Sequence, residues 1–451
     1  MFVYFIFILV NIIVTHDFIH SKTVVYKVNT LHPDDYEKYN KDFYFYDGVD
    51  NFLINRQLPI IKNIQIYNKL FTSDFLLNTG SVHTWVASAY CNDCKWSKKR
   101  YPSAKKKKSI EHLFNYYYGL ISGFFDSDNF SIKVEDMNFD LNFVSIIDTD
   151  IMNTQFRFTG MIGLGVPTEK TWSYSFPQKI FRTLNITRIL GIKLEDKNGK
   201  LFFGDIPNDF EENLTNCTQI NNELYPMSNN YWGCKMDYIL IGVEYDFYLT
   251  KQIDQYVLFD SMSFFHVAPY DLLEYFMDEY FYPNDKCESK AIDVNETIYR
   301  IECHDETELQ RFKSFNIILN GWAYRLGSKS LFDTQDVIFN TTEKKNCYYF
   351  KILFSKNRSG WTLGTSFFKK FFTAFNYETK ELFFYGPDRV DFTKYTIENM
   401  QEDNSVFIFF LSIIGTSLLI IIIILWIIFY LKQRRILISY ELNQKLYKKS
   451  L

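Results

Sequence analysis

Two short segments, far apart in the chain, share one pattern of residue types. Phe75-Leu76-Leu77 leads into Asn78-Thr79-Gly80-Ser81, and Gly160-Met161-Ile162-Gly163-Leu164-Gly165 follows. Val257-Leu258-Phe259 leads into Asp260-Ser261-Met262-Ser263, and Trp361-Thr362-Leu363-Gly364 follows. Each is an apolar strand ending in Asn/Asp, then Thr/Ser, any residue and Ser, with an apolar-apolar-Gly run downstream. A duplication on this scale implies two related lobes facing one cleft. The chemistry this geometry serves is that of a carboxylate pair. Two acids held close share one proton, because both cannot ionise cheaply; one then acts as base on a water while the other acts as acid on a carbonyl. Here the second position is Asp260 and the first is Asn78. An amide can donate to and accept from Asp260, but it has no proton to share at any working pH.

The elements that must position these residues read as mostly β with a few short helices. Runs such as Phe130 to Val134 and Phe143 to Ile147 are β-rich and bounded by Asn, Asp, Ser or Gly. Helical patches are predicted at Pro177 to Leu184 and Pro269 to Phe281. In the second, Leu272, Leu273, Phe276, Met277 and Tyr280 share one apolar face. The 451 residues suffice for two or three domains or one large bilobed fold. A formal net charge of -4 argues against a broadly basic nucleic-acid binder. Charged residues at 23% and hydrophobic residues at 47% exclude a mainly disordered chain. Seven Cys fit an oxidising compartment with disulfides and one thiol left over.

The two ends suggest a membrane protein. Phe2 to Val14 is an uncharged apolar run of signal-peptide length, without the usual basic residues ahead of it. Asn404 to Leu431 carries no charge over 28 residues, long enough to span the hydrocarbon, and Lys432, Arg434 and Arg435 follow at once. The layout expected is a single-pass type I protein, with a lumenal or extracellular body in the secretory system. Its parts are a signal peptide (1–21), a short prosegment-like region (22–51), the body, a transmembrane helix (404–431) and a cytoplasmic tail (432–451).

Between about residues 58 and 387 the chain resembles the pepsin-like (family A1) aspartic proteases, plasmepsin type. The resemblance rests on several segments in order. Leu77 to Cys91 matches the first active-site segment, and Tyr116-x-x-Gly119-x-x-x-Gly123 followed by Asp128 matches the flap. Gly160 to Gly165, Tyr231-Trp232, Asp260 to Pro269, Asn320 to Tyr324 and Trp361 to Gly364 match the later motifs. The resemblance implies a bilobed fold, with an N-terminal lobe at 52–209 and a C-terminal lobe at 210–392. It implies that Asn78 and Asp260 hold the two catalytic-aspartate positions, with Thr79 and Ser261 gripping beneath them. Gly80, Ser81, Met262 and Ser263 would line the cleft floor. Tyr116 would be the flap tyrosine, Gly119 a flap glycine and Trp85 the hydrogen-bond partner of Tyr116. No metal or cofactor is called for. Disulfide Cys303–Cys347 is implied by the family's second lobe. Cys91–Cys94 falls at the first-lobe disulfide loop, shortened to Cys-x-x-Cys; a redox motif is its rival reading. Among Cys217, Cys234 and Cys287 one pair is expected, with Cys217–Cys234 favoured.

Three departures from the family pattern bear on chemistry: Asn78 for Asp, Met262 for Gly, and Thr365 for the Asp after the late Leu-Gly. A Met at 262 should intrude on the cleft or move its loop. His83 and His266 lie near the two motifs, as substitute acid–base groups or as packed histidines. The run Lys95 to Lys108 holds eight Lys or Arg, a solvated loop or a site for anionic lipid or an acidic partner. Sequons stand at Asn129, Asn185, Asn213, Asn216, Asn295, Asn340 and Asn357. Two functions remain: a membrane-anchored homologue that has lost catalysis and binds peptide or protein, and a working aspartic endopeptidase of secretory-pathway proteins. A chain ended near Met400 should be secreted in soluble form; its retention in the membrane fraction would contradict the assigned span.

Overall fold

The structure is a computed structural model. It describes residues 23–30, 59–66, 71–94, 99–102, 112–116, 119–132, 137–149, 159–195, 198–211, 214–220, 231–243, 246–250, 255–263, 265–281, 286–292, 297–305, 314–335, 347–386, 389–391 and 417–435. The chain divides into two compact units, Met1–Val390 and Asp391–Leu451. The first is mostly β, as the sequence predicts, with three sheets of 13, 8 and 5 strands among the described residues.

The duplication seen in the sequence is a duplication of strand pairing. Strand Phe71–Asn78 runs parallel to Gly160–Gly163, with Asn78 opposite Gly163. Trp85–Ala87 lies antiparallel to Gly160–Gly163 on its other side and parallel to Met137–Thr149. In the second half, Gln255–Phe259 runs parallel to Trp361–Leu363, with Phe259 opposite Leu363. His266–Pro269 lies antiparallel to Trp361–Leu363 and parallel to Cys347–Ser355. Each Asn/Asp therefore ends a strand whose parallel neighbour is the apolar-apolar-Gly run. These strands are buried on both faces, which explains their continuous apolar character. The glycines closing the two runs have no room for a side chain. A Cβ on Gly163 would strike the Val82 backbone, and one on Gly364 the backbone of Ser263 and Phe265.

Part of the segment expected to be prosegment-like is a strand of the largest sheet. Val24–Thr30 pairs antiparallel with Asn198–Phe203 over six residues and buries Val24, Tyr26 and Val28. Both predicted helical patches are helices. Phe176–Leu184 carries Pro177 in its first turn, where proline's missing N–H costs nothing. Asp271–Phe276 continues as a π-helical turn, Met277–Phe281; Leu273, Phe276, Met277 and Phe281 are buried and Leu272 partly so. In the second unit Ser417–Arg435 is the one described helix long and apolar enough to cross a membrane. It overlaps the expected span from 417 to 431 and runs four residues further. The expected signal peptide, residues 404–416 and residues 436–451 lie outside the described residues.

Disulfides join Cys91 to Cys94 and Cys217 to Cys234. The expected Cys303–Cys347 link is corrected: Cys303 is bonded to Cys287. Register explains the choice. Cys287 lies directly opposite Cys303 in an antiparallel pair. On its other side Cys303 faces Tyr348, so Cys347 is out of register by one residue. Peptide mapping without reduction should recover Cys287–Cys303, and Cys347→Ser should leave it intact. Replacing Cys287 and Cys303 together by Ser should cost about 3 kcal/mol, the chain-entropy scale for closing a loop of this length.

Candidate functional site

The two strand ends are tied to each other by hydroxyls. Thr79 N–H donates to Ser261 Oγ at 3.1 Å, and Ser261 N–H donates to Thr79 Oγ1 at 2.9 Å. Each hydroxyl then donates to the opposite strand, Thr79 Oγ1 to Phe259 O at 2.8 Å and Ser261 Oγ to Leu77 O at 2.6 Å. Both residues are buried. A β-strand end offers unpaired backbone groups, and in a dry core these must find partners. The reciprocal arrangement satisfies four at once and fixes positions 78 and 260 on neighbouring loops.

Around this tie the two halves match bond for bond. Gly80 N–H donates to Asn78 Oδ1 at 2.7 Å, and Met262 N–H donates to Asp260 Oδ1 at 2.8 Å. Ser81 Oγ donates to His83 O, and Ser263 Oγ to Phe265 O. Gly165 N–H reaches Ser81 O, and Thr365 N–H reaches Ser263 O, each at 2.7 Å. Gly163 N–H donates to Thr84 Oγ1, and Gly364 N–H donates to His266 Nδ1. That last pair settles the role of His266. Its ring does in one half what the Thr84 hydroxyl does in the other, and its Nε2 lies 2.9 Å from Ser366 Oγ. With Nδ1 accepting, the proton is on Nε2. Burial, with Lys351 adding to it, lowers its pKa to about 3, so His266 is a neutral packing residue. His83 is half-buried against the rings of Phe125 and Tyr174, which also contact each other.

The match fails at the atoms that would do chemistry. Asn78 Nδ2 donates to Met161 Sδ at 2.9 Å. No described hydrogen bond joins Asn78 to the Asp260 carboxylate. Met161 was legible only as a core residue of the apolar run; its sulfur as an acceptor was not. Asp260 is 2% exposed. Burial raises its pKa to about 6, against the lowering effects of the Met262 N–H, Arg358 and the Ser263 N–H. Met262 is also buried, and it joins the apolar cluster of Trp85, Met161, Ile121 and Val144. The side chain expected to intrude on the cleft therefore packs among first-half residues. The ring of Tyr231 occupies the space that a side chain at position 80 would need.

Other expected residues are placed as follows. Strand His112–Tyr116 pairs antiparallel with Gly119–Ile132, Tyr116 opposite Gly119, giving the expected flap hairpin in backbone terms. The side chain of Tyr116 lies outside the description, so its contact with Trp85 does too. Trp85 is itself buried. Cys91 and Cys94 are both fully buried, and the Arg100 guanidinium donates to both of their carbonyls. A sealed, capped disulfide suits a structural role rather than the redox alternative. Of the basic run, Lys99 and Arg100 are described; with Phe71 and Thr72 they line an open pocket of about 380 Å³. Among the described residues, no group of three or more His, Cys, Asp or Glu could hold a metal ion.

The family model described as "Eukaryotic aspartyl protease" matches residues 62–385. The chain is similar to plasmepsin I from two isolates of Plasmodium falciparum, 26% identical over 191 residues in each case, 37% of this chain. That match spans 40% of the length of plasmepsin I. It is also similar to plasmepsin VII of a further Plasmodium falciparum isolate, 22% identical over 354 residues, 70% of this chain and 75% of that protein.

The Asp260 environment makes a stability prediction. A carboxylate whose folded pKa is raised destabilises the fold only when ionised. The penalty is absent below the unfolded value of 3.8, grows toward about 6 and is complete above it. At 1.36 kcal/mol per pKa unit it amounts to about 3 kcal/mol. Asp260→Asn should therefore be more stable than wild type at pH 7 by up to about 3 kcal/mol, and the gap should close as the pH falls toward 4. Chemical denaturation at the two pH values checks the sign.

Proposed function

From the premise that the chain belongs to the eukaryotic aspartyl protease family, we propose a membrane-anchored, pepsin-like homologue of the secretory pathway. It would hold an extended peptide or protein segment in its cleft without efficient hydrolysis. The observation that carries this reading is the Asn78 side chain. Its oxygen takes the Gly80 N–H and one N–H of its nitrogen donates to the Met161 sulfur. Peptide hydrolysis by a carboxylate pair needs a base to activate water and an acid to protonate the substrate carbonyl. Asp260 can supply one role at a time, and its burial leaves it half protonated near pH 6. An amide can supply neither. Loss of one member of an acid–base pair removes about 10²- to 10⁴-fold in rate. The disulfides, the apolar N-terminal run and the Ser417–Arg435 helix support an oxidising, membrane-associated setting.

Met262 adds a second obstacle: the family resemblance calls for Gly at this position, where the backbone passes close to substrate, and here a side chain is packed instead. The two changes act on one substrate and should couple. Purified protein assayed on a denatured protein substrate between pH 3 and 7 should show negligible cleavage. Asn78→Asp alone should recover little. Asn78→Asp with Met262→Gly should recover about 10²-fold or more over the unmodified chain. Robust turnover by the unmodified protein, blocked by a statine-type inhibitor, would reject this proposal in favour of a working endopeptidase.

A further inference from the structure

Away from the cleft floor, three basic side chains from three separate elements gather on one indole. The Arg182 guanidinium lies 5.7 Å from the Trp172 ring centroid, that of Arg188 5.8 Å, and Lys380 Nζ 5.8 Å. Arg182 belongs to the last turn of the helix Phe176–Leu184. Arg188 precedes the strand Ile189–Leu194, and its carbonyl accepts the Tyr377 N–H. Lys380 closes the turn before the strand Glu381–Tyr385, in a left-handed conformation at φ 60°. Lys380 Nζ also stands 5.9 Å from the Trp232 ring and 6.0 Å from that of Tyr377.

None of the three cations has an acidic partner among the described residues, and none of their side chains makes a hydrogen bond there. The acids nearest in sequence do not serve them. Asp205 accepts from Thr187 Oγ1, and Glu381 from Asn216 and Thr379. Glu169 and Glu378 form no described ion pair. Two donors in the cluster, Lys380 Nζ and Trp172 Nε1, are sealed from solvent with no acceptor among the described residues. Burial pushes the Lys380 ammonium below its usual pKa. Three aromatic rings offset part of the cost of a sealed cation, but they do nothing for the repulsion among three cations or for the idle indole N–H. An anion would answer all of these at once. Arg182 is exposed and Arg188 half-buried, so the cluster meets solvent on the arginine side.

We propose that Arg182, Arg188, Lys380 and Trp172 form an oxyanion-binding site for a group of the phosphate class. Guanidinium groups match the geometry of such an anion, and the indole N–H and ammonium supply further donors. The site also touches the frame of the cleft. Trp232 Nε1 and Tyr377 Oη, whose rings wall the Lys380 side chain, both donate to Leu164 O, at 2.9 and 2.5 Å. Leu164 N–H donates to Asn78 O at 2.7 Å.

The test is calorimetric and thermal titration of the full-length chain in detergent. The probes are sodium phosphate, O-phosphoserine, and sodium chloride at matched ionic strength. Phosphate or phosphoserine should bind saturably and raise Tm where chloride does not. Tighter binding of phosphate assigns a free anion, and tighter binding of phosphoserine a phosphorylated partner. Arg182→Gln with Arg188→Gln should weaken binding at least tenfold. Lys380→Met should raise Tm without phosphate and shrink the rise that phosphate gives, which keeps the question open to measurement if the double variant does not fold. Equal responses to phosphate and chloride in the wild type, or an undiminished phosphate response in the variants, would overturn the assignment.

Discussion

Thr79 and Ser261 exchange backbone and hydroxyl hydrogen bonds across the middle of the body, and the rest of the site hangs from that exchange. Neither loop is held by regular strand pairing at this point, since each lies just past a strand end. The tie works because both hydroxyls donate and accept, so four buried backbone groups beneath the site are satisfied. Positions 78 and 260 are then fixed by the chain itself, one residue before each hydroxyl. Each is fixed further by the N–H two residues on, which donates to its own Oδ1.

That arrangement explains how an amide at 78 and a carboxylate at 260 are held in matching frames. The frame asks of positions 78 and 260 only one acceptor oxygen each, and Asn offers it as well as Asp does. The acceptor role at 78 is filled by Asn as it would be by Asp. The remaining atom, Nδ2, donates one of its two protons to the Met161 sulfur. Met262 is tolerated for a similar reason: its side chain packs with Trp85, Met161 and Ile121 instead of standing unsatisfied. Without a second carboxylate beside it, Asp260 is governed by burial, which sets its pKa near 6.

Much of this could be read from the sequence because duplication leaves a mark that survives divergence. Asn78-Thr79 and Asp260-Ser261, with Gly163 and Gly364 downstream, report positions where hydroxyls or bare backbone are required. Alternation and apolar runs gave the β class, and Pro177 marked a helix start. Other features depend on tertiary placement. Nothing in the spacing of Cys287, Cys303 and Cys347 tells which pair shares a register. Val24–Thr30 looks like any short β-rich run until the sheet that takes it up is known. From its sequence neighbours His266 reads either as a substitute base or as a packed histidine; its equivalence to Thr84 appears only when the halves are compared bond by bond. Lys380 joins Trp172, Arg182 and Arg188 from far along the chain, and each is unremarked in isolation.

The central claim is that the cleft floor holds one titrating carboxylate where a pair would hold two coupled ones. Difference proton titration of the wild type against Asp260→Asn addresses it directly. The account predicts that the two proteins differ by a single proton, taken up in one step with a midpoint near pH 6. Two separated steps, or one step with a midpoint below about 4.5, would contradict it.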